Sequence, residues 1–224
     1  LKNKANSFLS DRSPILANGT FLNNASFLGI GYNEGVELVD NEVRKSYGLA
    51  AKERMPAPTD SAALANNYIS NDSDWITFEA TVSTDADQIA IAPRILQKEW
   101  TQEGRRYFHY KMDQKMLNFY SFISAKYQVK KENWKGKSLE IYYHEGHEYN
   151  LERMMASMKK SLDYYAASFS PYQFNQMRII EFPLTHGTFA QAFANTVPFS
   201  EGIGFIAKVD EENPDAVDYP YAII

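Results

Sequence analysis

Residues 139–182 read LEIYYHEGHEYNLERMMASMKKSLDYYAASFSPYQFNQMRIIEF. Leu139 to Tyr143 is a strand candidate, set off by the turn signal Lys135-Gly136. From Asn150 the pattern changes. Leu151, Met154, Met155, Met158, Leu162, Tyr165 and Phe169 recur at helical spacing, the apolar stripe of a helix of about five turns. Asn150 is a capping residue type, and Ser170-Pro171 ends the helix because proline cannot continue the hydrogen-bond ladder. Arg178 to Phe182 then reads as a short strand. The switch from period two to period 3.6 near residue 145 marks a candidate domain boundary.

Upstream, Ile76, Phe78, Ala80 and Val82 alternate with Thr77, Glu79, Thr81 and Ser83, the period of a half-buried strand. Ile89–Ala92, Tyr107–Met112 and Phe119–Val129 are further strand candidates, some separated by turn signals such as Glu103-Gly104. An antiparallel sheet assembly is expected. Asp40–Tyr47 reads as a short capped helix, residues 52–62 as a loop around Pro56 and Pro58, and a second short helix starts from Asp60. Residues 1–35 suggest short strands and turns. Gly29-Ile30-Gly31 with Gly35 has the wrong spacing for a phosphate loop and reads as turn. At the other end, Asp218-Tyr219-Pro220 opens an apolar helix within a turn of Ile224, so a fragment of a longer protein is expected.

The 224 residues carry a net charge of −5, with 44% apolar, 23% charged and 14% aromatic residues. That is the composition of a globular chain with a sizeable core. Its 15 tyrosines and 14 phenylalanines favour β-sheet. No basic stripe is present, which argues against nucleic acid as a partner, and no apolar run is long enough to span a bilayer. Cysteine is absent, so there is neither a disulfide framework nor a thiolate nucleophile.

The chain has four histidines. His144-Glu145-Gly146-His147 is one residue short of the His-Glu-x-x-His spacing that places two rings on one face of a zinc-binding helix. The pair follows a strand, where residues three apart face opposite ways, and reads as a polar turn between two elements; a turn at Gly146 is the alternative that would bring the rings together. His109 sits among aromatics in a strand, and His186 in a Gly/Thr/Phe loop. No catalytic or metal-ligating residue is assigned. One acid stands apart: Glu201, in Pro198-Phe-Ser-Glu-Gly202-Ile-Gly204. A carboxylate beside glycines sits where backbone approaches a ligand closely and can pair with an ammonium group. The competing reading is a solvated acid in a turn.

These residues carry a resemblance. The helix 151–169, Ser170-Pro171-Tyr172, the strand Arg178-Ile-Ile-Glu-Phe182 and the loop Phe199-Ser-Glu-Gly-Ile-Gly-Phe205 resemble, in order and spacing, the start of the catalytic domain of the aminopeptidase N family of zinc metallopeptidases (gluzincins). Residues 75–145 are similar to the later strands of that family's saddle domain, and Asn18-Gly-Thr-Phe21 to its loop facing the active site. The likeness is closest to bacterial proteins in which the peptidase region is fused to an ABC-transporter-permease-like membrane part.

The resemblance implies an α+β fold. Residues 1–145 would form the later part of an antiparallel β-rich saddle domain, and residues 146–224 the helix-plus-strand beginning of a thermolysin-like catalytic domain, truncated. Of the family's Gly-x-Met-Glu-Asn loop only the acid is kept, so Glu201, with Gly202, inherits the role of holding a peptide's amino terminus. Zinc and its His-Glu-x-x-His helix would lie past Ile224, leaving no cofactor in this chain and the fragment inactive. Implied partners are a peptide substrate, the remainder of the catalytic domain and the membrane part of the same polypeptide. The parent would be membrane-associated and extracytoplasmic, and the fragment soluble. The alternative is a non-catalytic, peptidase-like binding or docking domain of a transporter.

Overall fold

In a computed structural model the chain is described at residues 15–16, 18–23, 26–27, 38–52, 55–65, 75–213 and 215–224. In chain order the strands and helices are β1 (Ile15–Leu16), β2 (Gly19–Asn23), α1 (Asn41–Ser46), α2 (Ser61–Leu64), β3 (Trp75–Ile76), β4 (Glu79–Asp85), β5 (Ile89–Ile91), β6 (Leu96–Gln102), β7 (Arg105–Lys111), β8 (Met116–Leu117), β9 (Ser121–Ala125), β10 (Gln128–Trp134), β11 (Lys137–Tyr143), α3 (Leu151–Ser168), β12 (Gln176–Phe182), β13 (Thr196–Ser200) and α4 (Tyr219–Ile223). The fold is mixed α+β with mostly antiparallel pairing. The turn reading of residues 29–35 lies outside the described residues.

Two sheets position the site. The first has the order β1-β2-β9-β5, all antiparallel; the second has the order β10-β11-β12-β13, in which β11, β12 and β13 run parallel. A three-stranded sheet β4-β7-β6 and the pair β3-β8 complete the β structure among the described residues. The second sheet crosses residue 145: β10 and β11 precede it, β12 and β13 follow it, and α3 connects the two parallel neighbours β11 and β12. Parallel neighbours need such a crossover.

The alternation of side chains explains the layering. On one face of the second sheet Leu139, Ile141, Ile179 and Phe199 pack against Leu151, Met154, Met155, Met158 and Leu162 of α3. On the other face Tyr142, Ile180 and Phe182 pack against Phe21, Ile91, Ile123 and Ala125 of the first sheet. With both faces covered, β12 is buried along nearly its whole length.

Four expectations differ from the fold. The run Ile76–Ser83 is not one strand but divides into β3, paired with β8, and β4, paired with β7. Phe119–Val129 is not one strand. The chain leaves the first sheet after Ala125 and enters the second at Gln128, and the Tyr127 hydroxyl at this corner donates to the Glu181 carbonyl at 2.6 Å. A continuous apolar pattern does not reveal where a strand changes hydrogen-bonding partner. The stripe of α3 is buried only as far as Leu162: Tyr165 is 57% and Phe169 76% exposed. Both line an open apolar hollow with Pro171, Tyr172 and Ile224. Periodicity identifies an apolar face, not what covers it. Finally, Asn150 precedes α3 but its side chain does not cap it. Its amide donates instead to the carbonyls of Gly204 and Ala207, at 2.6 and 2.8 Å.

Between the β layers lies a buried polar network. Arg178, 1% exposed, donates to the Ala92 carbonyl at 2.7 Å and to Thr196 Oγ1 at 2.9 Å. Burial pushes the pKa of the Glu140 carboxyl up. The Tyr142 hydroxyl, the charge of Lys131 and hydrogen bonds from Gln176 and Ser138 outweigh this and hold it below the ordinary 4.5. A folded-state value below the unfolded one means stability that is present above about pH 4.5 and lost as pH falls through the folded-state value. Replacing Glu140 with Gln is therefore expected to flatten the fall in unfolding free energy below pH 4.5, as read from urea titrations at a series of pH values. An unchanged slope would exclude this carboxylate as a source of acid sensitivity.

Candidate functional site

The C-terminal ends of β11, β12 and β13 lie side by side, Tyr142 opposite Ile180 and Phe182 opposite Ser200. Ligands of α/β sheets commonly bind outside the C-terminal ends of parallel strands. Here those ends deliver His144, Glu181 and Glu201.

His144 and His147 are brought together by the turn after β11. The His147 N–H donates to the His144 carbonyl at 3.0 Å, and Gly146 has φ 90°, the left-handed conformation required at the third position of a type II turn. The ring centroids are 5.9 Å apart. Residues three apart do not face opposite ways here, because the extended backbone ends at Tyr143 and the turn decides the geometry.

Glu181 organises the pair. It is fully buried in β12. It accepts the His144 backbone N–H at 2.8 Å and a short hydrogen bond from His147 Nδ1, and His144 Nδ1 stands 3.2 Å from its Oε2. A buried carboxylate persists only when paired in this way. The opposite side of the His144 ring is held from the first sheet: Nε2 lies 2.7 Å from the carbonyl oxygen of Asn18, in the β1–β2 turn. A carbonyl only accepts, so Nε2 carries the proton. Burial pushes the His144 pKa down. Glu181, the Asn18 carbonyl and the charge of Glu201 outweigh this and raise it. Phe21, on the same hairpin, stacks on Phe182 at 5.0 Å. The Asn18–Phe21 segment thus lies against this end of the second sheet.

Glu201 opens a single π-turn, Glu201–Phe205, closed by the Ile206 N–H donating to the Glu201 carbonyl at 2.9 Å. Such turns recur at functional sites. The Glu201 side chain is half-buried. The two glycines differ in role. A Cβ on Gly202 would meet the tip of Leu184 at 2.5 Å, whereas one on Gly204 would meet the Phe199 ring at 2.4 Å and Met154 Cε at 2.9 Å. Gly204 is therefore demanded by core packing rather than by ligand approach. Asn150, holding the Gly204 carbonyl, fixes the π-turn to the start of α3.

Of the remaining histidines, His109 pairs with Glu79 at 2.9 Å across β7 and β4, and the His186 ring lies 5.9 Å from Phe21. Glu181 does not stand out by motif or spacing. It is the one acid in an otherwise apolar buried run, Ile179–Phe182, and an acid there needs a partner.

No family model matches the chain, and no curated protein matches it. Among solved structures, an M1 zinc metallopeptidase from Deinococcus radiodurans is similar, with a TM-score of 0.50 and 13% identity over 57% of this chain. The match covers 31% of that protein's length, and at this identity the likeness is one of fold.

Proposed function

We propose that this chain is the substrate-facing part of a zinc aminopeptidase-like protein, in which Glu201, supported by Gly202, receives the amino terminus of a peptide. The observation that carries this reading is the position of Glu201: a half-buried carboxylate on a π-turn at the C-terminal end of parallel strands, close enough to His144 for its charge to act there. The fold likeness to an M1 zinc metallopeptidase supports it. In this proposal zinc and its ligands belong to the parent protein past Ile224. Residues 1–145 serve as the saddle part and 146–224 as the start of the catalytic unit, with β10 and β11 joined to its sheet. Fusion to a transporter-permease-like membrane part is proposed for the parent. Within the described residues no helix is long and apolar enough to cross a membrane.

Replacing Glu201 with Ala in the full-length protein is expected to raise KM for peptides with a free amino terminus about tenfold, equivalent to roughly 1.4 kcal/mol. N-acetylated peptides should be unaffected. Equal KM and kcat in both proteins, for both peptide classes, would remove Glu201 from substrate binding. A second reading, a peptidase-like docking domain without catalysis, is favoured by one feature: Pro198-Phe-Ser-Glu-Gly202 keeps only the acid of Gly-x-Met-Glu-Asn. No hydrolysis by the full-length, zinc-loaded protein would support that reading.

A further inference from the structure

We infer that His144, His147 and Glu181 form a binding site for a divalent metal ion of the zinc type. One ring nitrogen of each histidine and one Glu181 oxygen lie within 4.8 Å of one another. Tetrahedral bonds of about 2.0–2.1 Å place neighbouring ligand atoms roughly 3.3 Å apart. Closing the cluster onto an ion therefore needs displacements on the order of 1 Å, and His147, at the end of a surface turn and 28% exposed, is free to make them. Two imidazoles and a carboxylate, with the fourth position open, suit zinc, cobalt or nickel. Calcium and magnesium prefer oxygen ligands throughout.

The protonation pattern points the same way. The His144 Nε2–H is committed to the Asn18 carbonyl, so in the neutral ring the lone pair is on Nδ1. That atom is buried, makes no hydrogen bond, and stands 3.2 Å from Glu181 Oε2. A lone pair facing a carboxylate in a buried place is repulsive, so the place between them takes a positive charge, either a proton or a metal ion. A backbone carbonyl holding the remote N–H of the ring is the outer-shell arrangement that orients metal-bound histidines. The His147 Nδ1 now donates to Glu181. Metal binding through this nitrogen requires the neutral ring with its proton moved to Nε2, so the ion competes with protonation of the ring and uptake weakens in acid.

The proposal is independent of the role given to Glu201, and its test needs no peptide. The 224-residue chain, stripped with a chelator, is titrated with Co2+ and followed by visible d–d absorption and by calorimetry. One Co2+ per chain is expected, with the absorption of a four- or five-coordinate site, and Zn2+ should displace it. His147→Gln and Glu181→Gln should each weaken Co2+ binding by more than the roughly 10–100-fold typical of losing an outer-shell partner. His109→Gln should leave it unchanged. If Glu181→Gln does not fold by circular dichroism, His147→Gln decides alone. No d–d band, or Co2+ bound equally well by His147→Gln, would overturn the site. Those results would leave a histidine–carboxylate clamp or an adventitious ion only.

Discussion

Glu181→Ala is expected to lower the unfolding free energy of the metal-free chain by about 3–5 kcal/mol, the range found when one partner of a buried ionic pair is removed. The carboxylate is fully buried and is the meeting point of the His144 backbone N–H and both imidazoles. Its removal leaves a donor and two rings without their acceptor, and a cavity at the end of β12. Glu181→Gln, which keeps the volume and one acceptor oxygen, should lose less. Urea unfolding with both variants checks the order. A loss below about 1 kcal/mol for Glu181→Ala would mean that the cluster contributes no more than a surface pair.

Gly204→Val is expected to destabilise the chain by about 3 kcal/mol, the upper part of the usual overpacking range. The first added carbon alone falls 2.4 Å from Phe199 Cδ1 and 2.9 Å from Met154 Cε, and both residues are fully buried where α3 packs on the second sheet. Neither ring nor thioether can leave without opening the core of the second sheet. Gly202→Ala is the control: its clash is with the tip of the half-buried Leu184, which can swing aside. Thermal unfolding of both variants distinguishes the positions, and equal losses would show that Phe199 is not the obstacle. Because Gly204 also presents its carbonyl to Asn150, the valine variant should loosen the Glu201 turn as well.

Much of the scaffold is legible in local pattern. The helix expected over 151–169 is found at Leu151–Ser168, the strand expected over 178–182 at Gln176–Phe182, and the short helices at Asp40 and Asp60 begin where their caps indicate, with Asp side chains accepting the first free N–H groups. These features depend on neighbours a few positions away, where spacing is reliable information. Glu201 was singled out by the proline before it and the two glycines after it, and it lies at the C-terminal end of β13.

The histidine pair was legible only as the alternative of a turn at Gly146, and its meeting with Glu181 was not legible at all. The cluster's members come from the turn after β11 and from β12, and its outer support from the β1–β2 turn, 126 residues from His144. The sequence by itself determined the elements: a β-rich first part, one amphipathic helix, and an isolated acid followed by two glycines. Tertiary structure alone decided that β10 and β11 share a sheet with β12 and β13, that Asn150 serves a loop instead of its helix, and that two histidines meet on Glu181. The physical reason is range. Periodicity and capping are local properties of the chain, whereas a buried carboxylate takes whichever partners the folded backbone brings within about 3 Å of it, wherever they lie in the sequence.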